Sequence, residues 1–547
     1  MENKILLKRK EFLNPTKDSK GTREKYLVDL RKKKKQDIFR AKRAIRILEK
    51  NDEEAQKDLR VTDTGIVQSD GVLSDTMQEY STILEKMCPS LFQDTDSLGG
   101  KLQIVKEALE ADDLEPKVYI ALCTYIRILC CIGDLIHIED VINAELFPLI
   151  MKMGSAESVT ELMIEITWIL VNITSSENKE IYEYILRPEF GLISYCKTML
   201  RNSEEKVVTN TLWILANISQ EGAPYDEILD TDVIDVIQEI LNSAKVTLNL
   251  LRVIAHCLSN LAKCPKRNLE FLHILIENSA TILYIQDEEA QFDCMFCLKI
   301  LTEREEYDKE LEFEKLKSIQ NSNILERVFQ FLEPENRSFN VCLRVLGNLC
   351  SSECPGIHNA ILKQGFFPKA SELISQKELH PQKQKELFWI TSNLVTCGAE
   401  LAYEYFSSTF FQQTLKYIEE RPYSDIKREA CWCICNLIES ADLELKMDLV
   451  SKYSILTLLN IILKESQTQG KLMEAILTAI SRILDTAKHF QQDDPFHPLF
   501  NFQSEGGTDI LEELQHSPNV QIFTLASNII KTHYSTEDEG EVFSEPN

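Results

Sequence analysis

Apolar residues recur with a helical period along most of the chain, and one short pattern returns inside these helical runs. All four tryptophans are followed by asparagine four residues later, as in residues 211–218, TLWILANI. The four pairs are Trp168/Asn172, Trp213/Asn217, Trp389/Asn393 and Trp432/Asn436. Residues i and i+4 share one face of an α-helix. The pattern therefore predicts helices that each carry an indole and a carboxamide side by side.

The spacing of the pattern indicates a repeat array. Two further runs keep the asparagine with another first residue, His256/Asn260 and Arg344/Asn348. The aligned second positions are 172, 217, 260, 300, 348, 393, 436, 482 and 528, which are 40 to 48 residues apart. Armadillo and HEAT repeats have this period. We therefore predict an all-α armadillo-repeat solenoid of about ten repeats wound as a right-handed superhelix, each repeat ending in a longer helix that carries the motif.

Charge divides the chain into unlike parts. Residues 1–50 carry 18 Lys and Arg against 7 Asp and Glu, whereas the remaining residues have a net charge of −38. We predict a basic segment at 1–60, a linker at 61–78, the repeat array at 79–534 and an acidic tail at 535–547. An acidic surface repels nucleic acid and anionic membranes and attracts basic ligands, so we expect neither nucleic acid nor a membrane as a partner.

A ladder of indoles and carboxamides along one groove would hold an extended basic peptide. Asparagine has a donor and an acceptor for the peptide backbone. Lysine or arginine has an apolar stem and a cationic tip, which suit a slot between two indoles. Carboxylates near the motif would select the positive tip. The alternative is that each tryptophan simply packs in the core.

The degenerate Phe296/Ile300 unit separates two predicted sites, an arrangement that suits a signal with two basic clusters. The first site comprises Trp168, Asn172, Trp213, Asn217, Glu221, His256, Asn260 and Asp293. The second site comprises Arg344, Asn348, Glu386, Trp389, Asn393, Glu429, Trp432 and Asn436. In the tryptophan position, Arg344 would repel a lysine, so we expect it to form an ion pair or act as a spacer. His256 is either a weakened slot wall or an ordinary packing residue.

Other chemistry finds little support in the sequence. There is no P-loop, GxSxG, HExxH or glycine-rich dinucleotide turn, so we expect no enzymatic activity and no cofactor. The cysteines lie in apolar helical runs, and Cys294 and Cys297 form a single CxxC without a second pair, which favours buried thiols over a zinc site. No apolar stretch reaches the length of a membrane span.

These motifs resemble the importin alpha (karyopherin alpha) family over nearly the whole chain. The WxxxN array, the run EGGTDILEELQ at 505–515 and the N-terminal FLNPTKD at 12–18 are similar to that family. The resemblance implies a nuclear import adaptor that shuttles between cytoplasm and nucleus. It would bind cargo proteins with basic localisation signals, of one or two clusters, and also importin beta and an export receptor with Ran-GTP.

The N-terminal segment resembles the family's importin-beta-binding segment, which also occupies the protein's own groove. The residues that match are Phe12, Asn14, Arg31, Lys32, Lys34, Lys35, Lys42 and Arg43. Ala41 interrupts the family's autoinhibitory basic triplet, so we expect weaker self-inhibition. The alternative function is that of an armadillo-repeat scaffold for other protein partners, which needs neither the ladder nor the basic segment.

Overall fold

The computed structural model describes residues 59–62, 65–68 and 75–534, the last range with short gaps. The gaps are at 93–96, 112–113, 133–134, 155–157, 177, 220–224, 230–232, 244–245, 265–268, 304–308, 377 and 466–469. Several sequence predictions lie outside the described residues: the eight importin-beta-binding residues, Glu221 and the acidic tail.

The described helices fall into two compact units, which divide between Ile300 and Leu301. In the first unit a β-hairpin, β1 (Leu59–Thr62) and β2 (Gly65–Gln68), precedes the helices and was not predicted from the sequence. The helices of this unit are α1 (Asp75–Met87), α2 (Leu98–Glu110), α3 (Pro116–Ile132), α4 (Leu135–Asn143), α5 (Leu146–Met153), α6 (Thr160–Thr174), α7 (Lys179–Ile185), α8 (Leu192–Met199), α9 (Glu205–Ile218), α10 (Tyr225–Leu229), α11 (Val233–Asn242), α12 (Leu248–Leu261), α13 (Leu269–Leu283) and α14 (Glu288–Leu301).

The second unit continues the same kind of helical sequence. Its helices are α15 (Lys309–Asn321), α16 (Ile324–Gln330), α17 (Phe339–Cys350), α18 (Pro355–Lys363), α19 (Phe366–Ile374), α20 (Pro381–Leu394), α21 (Ala399–Ser407), α22 (Thr409–Glu420), α23 (Asp425–Ser440), α24 (Leu443–Tyr453), α25 (Ile455–Lys464), α26 (Lys471–Leu484), α27 (Pro498–Ser504), α28 (Gly507–Leu514) and α29 (Val520–His533). Short 3₁₀ turns lie at Pro89–Phe92, Pro188–Phe190, Val395–Cys397 and Ala487–His489.

Over the described residues the helices form ten groups, mostly of three, and the last helix of each group, here called its third helix, carries the aligned motif position. These third helices are α3, α6, α9, α12, α14, α17, α20, α23, α26 and α29. The fifth group has two helices, α13 and α14, and contains the degenerate unit at Phe296 and Ile300. The prediction of an all-α armadillo-repeat array of about ten units is confirmed.

Local sequence signals set the ends of the repeat helices. Thr247 and Ser424 accept hydrogen bonds from backbone N–H groups in the first turns of α12 and α23, which satisfies donors that have no intrahelical partner. Pro148 and Pro368 lie in the first turns of α5 and α19, where a missing N–H is tolerated. Gly365 begins α19 at a φ of 81°, a left-handed conformation that glycine adopts without strain.

Stacked third helices form the core of each unit. In the first unit α6 packs between α3 and α9, and α9 packs against α12. In the second unit α20 packs between α17 and α23, and α23 packs against α26. Isolated repeats cannot cover their apolar faces, so stacking accounts for most of the burial. None of the helices in the described residues is long and apolar enough to cross a membrane.

The cysteines contribute to this core as free thiols. Of the cysteines whose side chains the structure describes, every one except Cys397 is buried. Burial raises the pKa of the Cys257 thiol to about 12, because the thiolate would be poorly solvated there. Cys294 and Cys297 are both fully buried. Within the same residues no three His, Cys, Asp or Glu side chains are placed to hold a metal ion.

Candidate peptide-binding face

The first unit carries a ladder of partly accessible aromatic rings. Trp168 on α6, Trp213 on α9 and His256 on α12 are each half-buried. The Trp213 and His256 rings lie 4.8 Å apart between centroids, with an interplanar angle of 42°. Because α6, α9 and α12 are consecutive third helices, the ladder runs across successive repeats. This half of the chain therefore presents the rings that the sequence analysis predicted as slot walls.

An arginine of the protein itself lies on the first of these rings. The guanidinium carbon of Arg127, on α3, is 4.1 Å from the centroid of the Trp168 ring. Its Nε donates to a Glu165 carboxylate oxygen at 2.5 Å. Both side chains are mostly buried, at 15% and 14% exposure. A cation thus stacks on the indole and pairs with a carboxylate at the same place, the arrangement proposed for a peptide cation.

The Arg127–Glu165 pair was not predicted from the sequence, although the position of Glu165 could have been noticed. Glu165 precedes Trp168 by three residues, the same offset that singled out Glu386 and Glu429. Residues three apart on a helix are neighbours. The offset alone identifies Glu165. Arg127 comes from the preceding repeat, which lacks the motif, and only the fold brings it to the ring.

The third position of the ladder is a small polar network. His256 Nδ1 lies 3.3 Å from an Asp293 carboxylate oxygen, and its Nε2 lies 3.1 Å from Asn260 Nδ2. Asn260 Oδ1 accepts a hydrogen bond from Lys263 Nζ at 2.5 Å. Both predicted ligands, Asn260 and Asp293, therefore bond to groups of the chain itself. His256 is part of this network as well as a neighbour of the Trp213 ring.

The amide nitrogens of several motif asparagines bond to the preceding third helix. Asn217 Nδ2 donates to the Val171 carbonyl at 3.1 Å and to Thr174 Oγ1 at 3.2 Å. The corresponding bonds in the second unit are Asn348 to Thr302 Oγ1 at 3.2 Å, Asn393 to Ser351 Oγ at 3.4 Å and Asn436 to the Ser392 carbonyl at 2.7 Å. Each bond links a motif asparagine to a hydroxyl group or a backbone carbonyl at the end of the preceding repeat helix. The amide nitrogens of these asparagines therefore also serve the scaffold, and their predicted use for a peptide backbone stays a prediction.

The tryptophan rings of the second unit are buried. Trp389 is 5% exposed and Trp432 is 1% exposed. Asn393, Asn436 and Glu429 are also buried. The prediction that these indoles wall open slots does not match the structure. The assignment of these residues to a binding site stays a prediction.

A glycine explains the burial of Trp389. A Cβ on Gly347 of α17 would lie 1.8 Å from Cζ3 of the Trp389 ring. The indole therefore packs directly on the backbone of the preceding third helix, which only glycine permits. The motif run Arg344–Asn348 contains this glycine, but nothing in its spacing shows that a ring fills the place of the missing side chain.

Arg344 covers the same ring, as an ion-paired residue and not as a free cation. Its guanidinium carbon is 5.3 Å from the centroid of Trp389, and it donates to Glu386. Gln382 also donates to the Glu386 carboxylate, at 3.2 Å. Burial raises the pKa of Glu386 above its ordinary value, although the Arg344 guanidinium and Gln382 oppose the shift. The expected ion-pair role of Arg344 is confirmed.

Comparisons with known proteins support the fold. Residues 502–547 match the family described as Atypical Arm repeat. An engineered protein of known crystal structure is similar with a TM-score of 0.63 and 17% identity, covering 79% of this chain and 99% of that one. A designed armadillo repeat protein in complex with the peptide (KR)4 covers 45% of this chain and 99% of its own, with a TM-score of 0.38 and 17% identity. The chain is an all-α armadillo-repeat protein.

Proposed function

We propose that this armadillo-repeat protein is an adaptor whose first unit binds extended, lysine- and arginine-rich segments of other proteins. The observation that carries the proposal is the position of Arg127. Its guanidinium carbon lies 4.1 Å from the centroid of the Trp168 ring, and the guanidinium pairs with Glu165. These contacts, made by a side chain of the protein itself, are of the kind that a peptide cation would need, and they support the proposal. Half-buried Trp213 continues the ladder in the next repeat.

Charge favours the same class of partner. Outside residues 1–50 the chain has a net charge of −38, so its field attracts a cationic segment and speeds its association. Aromatic slots for the stems and asparagine acceptors for the backbone would add contacts that do not depend on salt. We propose nuclear localisation signals as the cargo, importin beta as the partner of the basic N-terminal segment, an export receptor with Ran-GTP as a further partner, and shuttling between cytoplasm and nucleus. These proposals rest on the resemblance described above.

A second candidate is a scaffold that holds other protein partners without a role in import. The burial of Trp389 and Trp432 favours it, because an import adaptor for two-cluster signals needs a second open ladder. In this alternative the first unit still binds protein, but a basic sequence has no special advantage over a neutral one.

Calorimetry on the full chain separates the two candidates. The ligands are a lysine-rich peptide with one basic cluster, a peptide with two clusters, and a neutral peptide of the same length. The adaptor proposal expects binding of the basic peptides and at least a tenfold loss for Trp213→Ala. Phe523→Ala is the matched control, since Phe523 is an aromatic residue of a third helix, 45% exposed and outside the ladder.

The two-cluster peptide tests the role of the second unit. Equal affinities for one and two clusters would restrict binding to the first unit and remove the two-site proposal. If neither basic peptide binds, or if the neutral peptide binds with the same affinity, the result contradicts the adaptor proposal and favours the scaffold.

A further inference from the structure

We infer that Arg127 is a built-in occupant of the first aromatic slot, which excludes a peptide cation from Trp168 and so determines where a bound basic segment ends. This inference rests on the proposed peptide-binding function and adds a specificity-determining pair, Arg127 and Glu165. Two contacts and one exposure carry it: the guanidinium lies over the ring at 4.1 Å, its Nε donates to Glu165 at 2.5 Å, and both side chains are mostly buried.

These contacts explain why a peptide lysine would not displace Arg127 from the Trp168 ring. At 15% and 14% exposure the pair is largely withdrawn from water, and a peptide lysine that displaced Arg127 would have to separate two mostly buried charges. The lysine would gain only the contacts that the arginine already makes. A planar guanidinium also stacks on an indole better than an ammonium does. Displacement therefore brings no advantage to the peptide.

The same arrangement recurs in the second unit. There Arg344 comes from the third helix before Trp389, lies over its ring at 5.3 Å, and pairs with Glu386, three residues before that tryptophan. In the first unit Arg127 comes from the third helix before Trp168 and pairs with Glu165, again three residues before the tryptophan. Each unit thus has one tryptophan that is occupied by the chain's own arginine.

Arg127 also limits the length of the ligand. Its pairing neutralises Glu165, so a peptide cation that approaches this face of Trp168 finds the Arg127 guanidinium in place and the Glu165 carboxylate already paired. Cations of the bound segment are then confined to the part of the ladder beyond the face of Trp168 that Arg127 covers. A peptide with one more basic residue at the Trp168 end would bind no better than a shorter one.

Removal of the guanidinium provides the test. In the full chain, Arg127→Ala is expected to bind a lysine-rich peptide roughly tenfold more tightly, since one aromatic slot and its carboxylate become available. The control is Arg187→Ala: Arg187 lies over the ring of Tyr184 at 4.9 Å, in the same unit but outside the ladder. Both substitutions remove one positive charge, so the gain from net charge is the same and should stay below twofold.

The peptide provides the second half of the experiment. The basic residue at each end is replaced in turn by glutamine. In the natural protein the replacement at the Trp168 end leaves the affinity unchanged, whereas in Arg127→Ala it cancels the gain. If Arg127→Ala loses its fold by circular dichroism, Arg127→Ala/Glu165→Gln replaces it, because no buried charge is then left unpaired. A gain of about threefold from the ring alone is expected.

The outcomes separate this inference from the function on which it rests. Two results would overturn the inference while leaving peptide binding in place: equal gains for Arg127→Ala and Arg187→Ala, or a loss of affinity in the natural protein for both peptide replacements, so that neither end is dispensable. Absence of any preference for the basic peptide over a neutral one, in the natural protein and in both variants, would instead contradict the proposed function.

Discussion

Gly347→Ala tests the packing that buries the ring of Trp389. The new Cβ would lie 1.8 Å from Cζ3, 2.5 Å from Cη2 and 2.7 Å from Cε3 of the indole. Carbon atoms in contact are about 3.5 Å or more apart, so the ring or the helix must move by roughly 1.7 Å. Trp389 is 5% exposed and has little room for such a shift.

The expected cost follows from two opposing terms. Overpacking of this severity destabilises by about 3 kcal/mol, near the upper end of the usual range. Alanine is better than glycine inside a helix by about 1 kcal/mol. The net local destabilisation is therefore roughly 2 kcal/mol, which corresponds to about thirtyfold faster hydrogen exchange in the affected helices.

Hydrogen exchange with mass spectrometry is the suitable assay, because repeat arrays often unfold in parts and a single global transition would average over them. Peptides from α17 and α20 should exchange faster in the variant. Gly99→Ala is the control: it lies in α2, its nearest neighbour is Ser97 Oγ at 3.9 Å, and its exchange should be unchanged or slower.

The Trp389→Leu variant tests whether the indole is the group that the new Cβ meets. In Trp389→Leu the ring atoms that collide with a Cβ are absent, so Gly347→Ala should cost little there. The packing argument fails if Gly347→Ala leaves exchange in α17 and α20 unchanged. It fails equally if the acceleration is the same with and without the indole.

Two further predictions concern charged groups of the second unit. Arg344→Met should destabilise α20 by roughly 2 kcal/mol, because the Glu386 side chain, 13% exposed, would lose its cation. Glu386→Gln removes the negative charge instead and should cost under about 1 kcal/mol. Slower hydrogen exchange of α20 in Arg344→Met than in Glu386→Gln would contradict this prediction. Burial lowers the pKa of His533 below its usual value, although the nearby Asp485 carboxylate raises it. The unfolded chain then takes up this proton first as the pH falls through about 6.5, so the last repeat should lose stability below that pH. Melting of the His533→Gln variant should depend less on pH in this range, and an unchanged dependence would exclude the histidine as the cause.

Much of the fold could be predicted because recognisable residue types recur once in each repeat. The positions from Asn172 to Asn528 follow one another at 40 to 48 residues, and each lies on the third helix of its group. The hairpin at Leu59–Thr62 and Gly65–Gln68 was missed, because a pair of four-residue strands has no comparable period.

The candidate site was predictable only in part. Helical spacing places Trp168 and Asn172 on one face, as it places Trp389 and Asn393. It does not distinguish the half-buried first indole from Trp389, which is 5% exposed. That difference depends on contacts between repeats, such as the missing side chain of Gly347, and these contacts link residues about 40 positions apart.

The bonds from motif asparagines to the preceding third helix limit how this protein can evolve. Asn217 holds the end of α6 through Val171 and Thr174, and it also lies in the proposed ladder. A replacement at Asn217 that altered ligand preference would also loosen the joint between two repeats. In the proposed ladder the asparagine side chain therefore serves recognition and cohesion together. His256 is under a similar double constraint, because its ring lies beside Trp213 while its two nitrogens lie beside Asp293 and Asn260.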